Sequence, residues 1–124
     1  MQSPAVVKRG LEVTVGKVTK VPARAKVPGE VSGPGLSFAL SVRNNSAKAV
    51  DISTVVVNLM NARGQPANRI STAPARPFAG TVPAGSAASG IYVFVVRSDQ
   101  RDPVTLAVAL SGDLPVIVFK GKVD

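Results

Sequence analysis

Leu36-Ser37-Phe38-Ala39-Leu40-Ser41-Val42-Arg43 decides the fold. Apolar side chains at 36, 38, 40 and 42 alternate with Ser37, Ala39, Ser41 and Arg43, the period of two that sets one face of a strand on a core and the other toward water. The run stops at Asn44-Asn45-Ser46, residues that tolerate left-handed backbone and bond their own main chain. Downstream, Val50, Ile52, Val55, Val57 and Leu59 resume the apolar signal, and a break of parity near Ser53-Thr54 predicts a bulge or bend. Asn61-Ala62-Arg63-Gly64 reads as the next turn. Phe78 to Val82, Ile91 to Val96, the alternation Val104, Leu106, Val108 and Leu110, and Val116 to Phe119 supply the later strands. Pro83-Ala84-Gly85, Asp102-Pro103 and Ser111-Gly112-Asp113 separate them.

Upstream, Leu11, Val13 and Val15 alternate with Glu12 and Thr14, and the run continues through Lys17, Val18 and Lys20 until Pro22 interrupts it. Its charges place this first strand at a sheet edge. Ala23 to Gly35, with Pro28-Gly29 and Gly33-Pro34-Gly35, reads as an excursion between strands. No stretch carries apolar residues at i, i+3, i+4 and i+7 for long enough to form a helix of more than a turn or two. Short alternating runs cut by turn signals predict an all-β fold, an immunoglobulin-like β-sandwich of about seven to eight antiparallel strands in two sheets. One domain over 1–124 is expected, with 1–8 as a flexible N-terminal segment. Leu36, Phe38, Leu40, Val42, Val57, Leu59, Tyr92, Phe94, Leu106 and Val108 should be buried between the sheets, with Ser37, Ser41 and Arg43 outside.

At 124 residues the chain is long enough for one core without staples. With no cysteine and no histidine it has no disulfide, thiolate or ordinary zinc chemistry. Catalysis would rest on lysines and on scattered carboxylates such as Glu12, Glu30, Asp51, Asp99, Asp102 and Asp113, which fall at turns or polar strand positions without the spacing of an acid/base pair. Neither a phosphate-binding glycine loop nor a calcium loop is present. The expectation is a non-enzyme with no cofactor and no metal. Asn44-Asn45-Ser46 fits the N-glycosylation pattern, although a β-turn explains it better.

Fifteen Lys plus Arg against seven Asp plus Glu give a net charge of +8, which favours anionic partners or serves solubility. Locally, Lys8, Arg9, Lys17, Lys20, Arg24 and Lys26 face Glu12 alone. Lys17, Lys20, Arg24 and Lys26 are accordingly the candidate anion-binding edge. The Pro-rich segment from Gln65 to Pro77 is the longest predicted loop, and Arg63, Arg69 and Arg76 in and beside it are candidate loop contacts. Nucleic acid is not expected as a partner, because Phe38, Phe78, Tyr92, Phe94 and Phe119 fall on apolar strand faces rather than beside the cations.

Ser89-Gly90-Ile91-Tyr92-Val93-Phe94 looks like the tyrosine corner of immunoglobulin folds, with Phe94 where antibody domains carry the second cysteine and the hydroxyl bonded to backbone a few residues upstream. Together with Pro28-Gly29-Glu30-Val31-Ser32-Gly33-Pro34, Val50-Asp51-Ile52 and Pro77-Phe78-Ala79-Gly80-Thr81-Val82-Pro83-Ala84-Gly85, this stretch resembles the telokin-like, immunoglobulin-like extracellular domains of Gram-positive bacteria. The resemblance implies a sandwich displayed outside the cell, secreted or carried beyond a membrane anchor, and brings no catalytic residues with it. Residues 1–4 show no basic region leading into an apolar run, so the extracellular placement comes from the resemblance alone. The functional expectation is an exported or cell-surface module with a binding or structural role, its partner a protein or an anionic surface polymer. The alternative is electrostatic attachment to cell-wall polymer or lipid heads through the basic N-terminal edge. Salt separates the two, since only the second weakens steeply as ions are added.

Overall fold

The computed structural model describes residues 5–7, 10–23, 33–70, 75–110 and 116–121. Ten strands follow one another along the chain: β1 (Ala5–Val7), β2 (Leu11–Ala23), β3 (Gly33–Asn44), β4 (Val50–Asp51), β5 (Val56–Met60), β6 (Asn68–Ile70), β7 (Thr81–Val82), β8 (Ala87–Val95), β9 (Val104–Ala109) and β10 (Ile117–Gly121). They form a five-stranded sheet in the order β1-β2-β3-β8-β6, a three-stranded sheet β10-β9-β5 and a small ribbon β4-β7. All pairings are antiparallel. With β2, β3, β5, β6, β8, β9 and β10 taken as A to G, the two main sheets read A-B-E-D and C-F-G, the constant-type immunoglobulin arrangement.

The core lies between those sheets. Leu11, Val13 and Val15 of β2, the Leu36, Phe38, Leu40 and Val42 row of β3, and Tyr92 and Phe94 of β8 face Val57, Leu59, Leu106, Val108, Ile117 and Phe119 of the smaller sheet, and all are buried. The alternation around Phe38 therefore gives the right face throughout, with Arg43 exposed and Ser37 and Ser41 half-buried outside. Phe38 and Phe94 meet edge to face, ring centroids 6.0 Å apart, at the centre. The parity break near Ser53-Thr54 is a turn that carries the chain from the β4-β7 ribbon into the smaller sheet.

Four expectations need correction. Within 1–8, expected to be flexible, Ala5–Val7 lies in register with Leu11–Val13, because backbone groups left open on the edge of β2 accept a partner, while residues 1–4 and 8 lie outside the described residues. Pro22 does not end the first strand: β2 runs to Ala23, pairing Pro22 with Pro34 and Ala23 with Gly33. Among the described residues no strand lies outside Thr14–Ala23, so the N–H that proline lacks is not needed there. The two ends of the expected excursion, Ala23 and Gly33–Gly35, thus belong to paired strands, and residues 24–32 between them lie outside the described residues. Third, the Gln65–Pro77 segment is not simply a loop, since Asn68–Ile70 pairs with Val93–Val95 where no proline intervenes.

Tyr92, finally, is not at a corner of the F position. It sits mid-strand in β8, hydrogen-bonded sheet partner of β3, whereas the antibody disulfide joins strands in opposite sheets. Its hydroxyl accepts from Phe78 N–H at 3.0 Å, and that segment is bridged to Ile91 through Arg76, well beyond the few residues expected. Gly90 makes the approach possible: a Cβ there would meet Phe78 N at 3.1 Å and Arg76 O at 3.2 Å.

Asn44 fixes the opposite end. Fully buried, it donates Nδ2 to Lys48 O (2.7 Å) and Val82 O (3.0 Å), and Oδ1 accepts from Ser46 N–H (3.0 Å) and Ser46 Oγ–H (2.5 Å). One side chain thereby ties the turn after β3 to the end of β7. The glycosylation pattern begins on this amide, which is spoken for within the fold, and the turn reading of these residues holds.

Candidate functional site

Of the four candidate cations of the N-terminal edge, two lie among the described residues. A local irregularity of β2 sets the face of each. Between Val15, paired with Leu40, and Val18, paired with Phe38, two residues oppose one, a bulge formed by Gly16 and Lys17. The extra residue restores Val18 to the core face and leaves Lys17 exposed on the free edge. Lys20 pairs with Leu36, and antiparallel partners share a face. Leu36 is buried and Lys20 exposed, so at this end the edge strand has outrun its cover. Arg24 and Lys26 lie outside the described residues.

The same end of the sandwich receives the crossover from β8 to β9. A 3-10 turn at Ser98–Gln100 closes with Gln100 N–H on Arg97 O at 2.9 Å and is braced by Ala62 N–H on Gln100 O at 2.9 Å. Arg101 follows, only 5% exposed. Its Nε and Nη2 both donate to Val96 O, at 3.1 and 2.8 Å. Lys20 and Arg101 line one shallow cleft of about 400 Å³, whose walls are Val21, Pro22, Pro34, Gly35 and Ser98. Arg97 stays on the surface in a long contact with Asp99 (3.4 Å), the one ion pair among the described residues. An exposed pair of that kind contributes little.

The loop trio is not brought together. Arg63 stands in the Asn61–Gln65 turn, held by Asn61 Oδ1, which accepts from the N–H groups of Arg63 (2.9 Å) and Gln65 (3.1 Å). That turn leans on Gln100 and so belongs to the Arg101 end. Arg69 lies on β6 rather than in a loop and lines a separate pocket of about 210 Å³ with Val55, Phe78 and Tyr92. Arg76 is exposed, its backbone bridged to Ile91 in both directions at 2.7 and 2.8 Å. Arg101 was missed because a single buried arginine in a polar crossover leaves no periodic trace; the only hint was a cation immediately before Asp102-Pro103.

Burial raises the Tyr92 hydroxyl above its ordinary range, opposed by the Phe78 N–H bond and by the nearby Arg69 charge. Asp51 is lowered by hydrogen bonds from the hydroxyl and N–H of Ser53. Among the described residues no group of three or more His, Cys, Asp or Glu side chains converges. No described helix is long and apolar enough to cross a membrane. The other surface feature is apolar: Val56, Met60, Val116 and Val118 are exposed on or beside the smaller sheet, within what soluble domains ordinarily carry.

No family model and no curated protein sequence matches the chain. Solved structures do match in fold. The yjhA protein of Bacillus subtilis superposes with a TM-score of 0.71 at 15% identity, covering 100% of both chains. A candidate lipoprotein of Bacillus subtilis, ycdA, gives 0.72 at 15% identity over 98% of this chain, which spans 39% of that one. A functionally unknown protein of Listeria monocytogenes gives 0.62 at 13% identity, covering 99% of this chain and 84% of the other. The neighbours are thus Gram-positive proteins without an assigned activity, and at these identities the likeness is one of fold.

Proposed function

We propose that this chain is a non-catalytic module of the bacterial cell surface that attaches to a linear, phosphate-bearing polyanion through the basic end of its five-stranded sheet. One observation carries the reading: exposed cations on β2 run into the cleft of Arg101, and among the described residues no carboxylate pairs with Lys17, Lys20 or Arg101. Lys17 and Lys20 are separated by about 10 Å of strand, a row of charges along an edge rather than a plane. A net charge of +8 draws such a polymer in. A cell-surface address is supported by one neighbour described as a candidate lipoprotein and by the fold it shares with this chain.

The test is co-sedimentation with long-chain polyphosphate immobilised on beads, with anionic and neutral vesicles alongside. Binding to polyphosphate at low salt, lost on added salt and in the double variant Lys17→Glu, Lys20→Glu with unchanged circular dichroism, is expected. Negligible retention by polyphosphate at low salt overturns the proposal; preferential retention by anionic vesicles replaces the polymer by a membrane surface.

A further inference from the structure

We infer that the cleft between Lys20 and Arg101 is a discrete oxyanion subsite that holds a single phosphate group, free or esterified. The inference rests on the attachment reading and sharpens it from a diffuse field to a place.

The argument starts from the cost of burying Arg101. A guanidinium cannot shed its proton, and taking it out of water costs several kcal/mol unless an opposite charge or a full set of acceptors compensates. Arg101 is 5% exposed, yet among the described residues its bonds end on one carbonyl, Val96 O, which takes Nε and Nη2 together. No buried side-chain nitrogen or oxygen is left without a partner among the described residues, so whatever donor of Arg101 stays unbonded opens on the cleft and not on the core. The other charged residue that lines the cleft is Lys20, a second cation where a neutralising carboxylate would lower the cost. Two like charges on one recess raise each other's free energy, and an anion between them relieves both.

The remaining walls suit that anion. Val21, Pro22 and Pro34 are apolar and offer no competing charge or donor. Ser98 adds a hydroxyl. The planar fork of arginine matches two oxygens of a phosphate, and lysine adds a mobile point charge. About 400 Å³ takes a phosphate with a small organic flank, such as a glycerol unit. The turn that carries Arg101 is held by Gln100, so the donor is placed before the ligand arrives.

Amide and arginine Nε–Hε resonances of the intact domain report the outcome during titration with inorganic phosphate and, separately, glycerol 3-phosphate, against sodium chloride of equal ionic strength. Saturable shifts at Val21, Gly35, Ser98 and Arg101 Nε–Hε are expected with both phosphates and not with chloride. Lys20→Gln, an exposed position, should weaken the apparent affinity by up to about fivefold. Arg101→Lys, which keeps the charge and loses the fork, should abolish saturation while the core resonances stay in place. Non-saturating shifts spread over the basic surface, or the same shifts with chloride, overturn the subsite. If polyphosphate retention persists in that case, the attachment reading survives without it; if wild-type protein is not retained at all, both fall.

Discussion

Replacing Asn44 by alanine removes the most connected polar side chain of the described fold, and its cost can be worked from four bonds. The amide donates to Val82 O, a buried carbonyl that water does not reach once the side chain is gone. Stranding it costs about 1–3 kcal/mol. The bonds to Lys48 O and from the N–H and hydroxyl of Ser46 are only partly buried, so their partners recover water and each loss is nearer 0.5 kcal/mol. The sum is about 3 kcal/mol, a large share of the 5–15 kcal/mol typical of a domain. In urea denaturation the midpoint should fall at unchanged slope, and the thermal midpoint by roughly 10 °C. Asn44→Asp sharpens the reasoning, because a carboxylate cannot donate to the two carbonyls. Its folded-state pKa is raised, so the variant is nearest wild type below about pH 4 and loses stability as pH climbs through the unfolded carboxyl's titration. A loss under about 1 kcal/mol for Asn44→Ala, with the slope preserved, would refute the assignment of Asn44 as the tie between the two turns.

Two further outcomes follow from the same physics. Tyr92 is the only tyrosine, so tyrosinate absorbance reads it alone: in the folded protein its titration should lie above that of the unfolded chain, stability should fall as pH rises past about 10, and Tyr92→Phe should remove that alkaline dependence while costing about 1–3 kcal/mol for the Phe78 N–H left without its acceptor. Asp51, lowered by its Ser53 bonds, contributes stability above the ordinary carboxyl pKa that is lost as pH falls through its own, so Asp51→Asn should flatten the acid limb of a pH-stability profile measured with and without the substitution.

Strands were legible wherever one face is buried and the other wet, as at Leu36–Arg43, because burial imposes a period of two that composition cannot hide. Legibility failed where another rule was in force. Pro22 reads as a stop and is not one, since a free edge needs no N–H; Asn68–Ile70 is too short to alternate. Tyr92 was placed on the right face and the wrong strand, for period reports the face toward the core and is silent on which sheet a strand joins.

The same distinction explains the site. Strict alternation from Leu11, Val13 and Val15 would turn Lys20 outward; the bulge at Gly16-Lys17 puts it on the face of Leu36, a poor place for a lysine, and there Leu36 is buried while Lys20 stays exposed. A cation on the inner side of an uncovered end then meets whatever the crossover between sheets delivers there. In this chain it delivers Arg101. Neither residue alone marks a site: an exposed lysine is ordinary, and a buried arginine bonded to a carbonyl can serve as a brace. Their meeting in one recess, like charge against like charge with no described carboxylate between them, is a product of topology. That is why the charge excess was visible in composition and its focus was not.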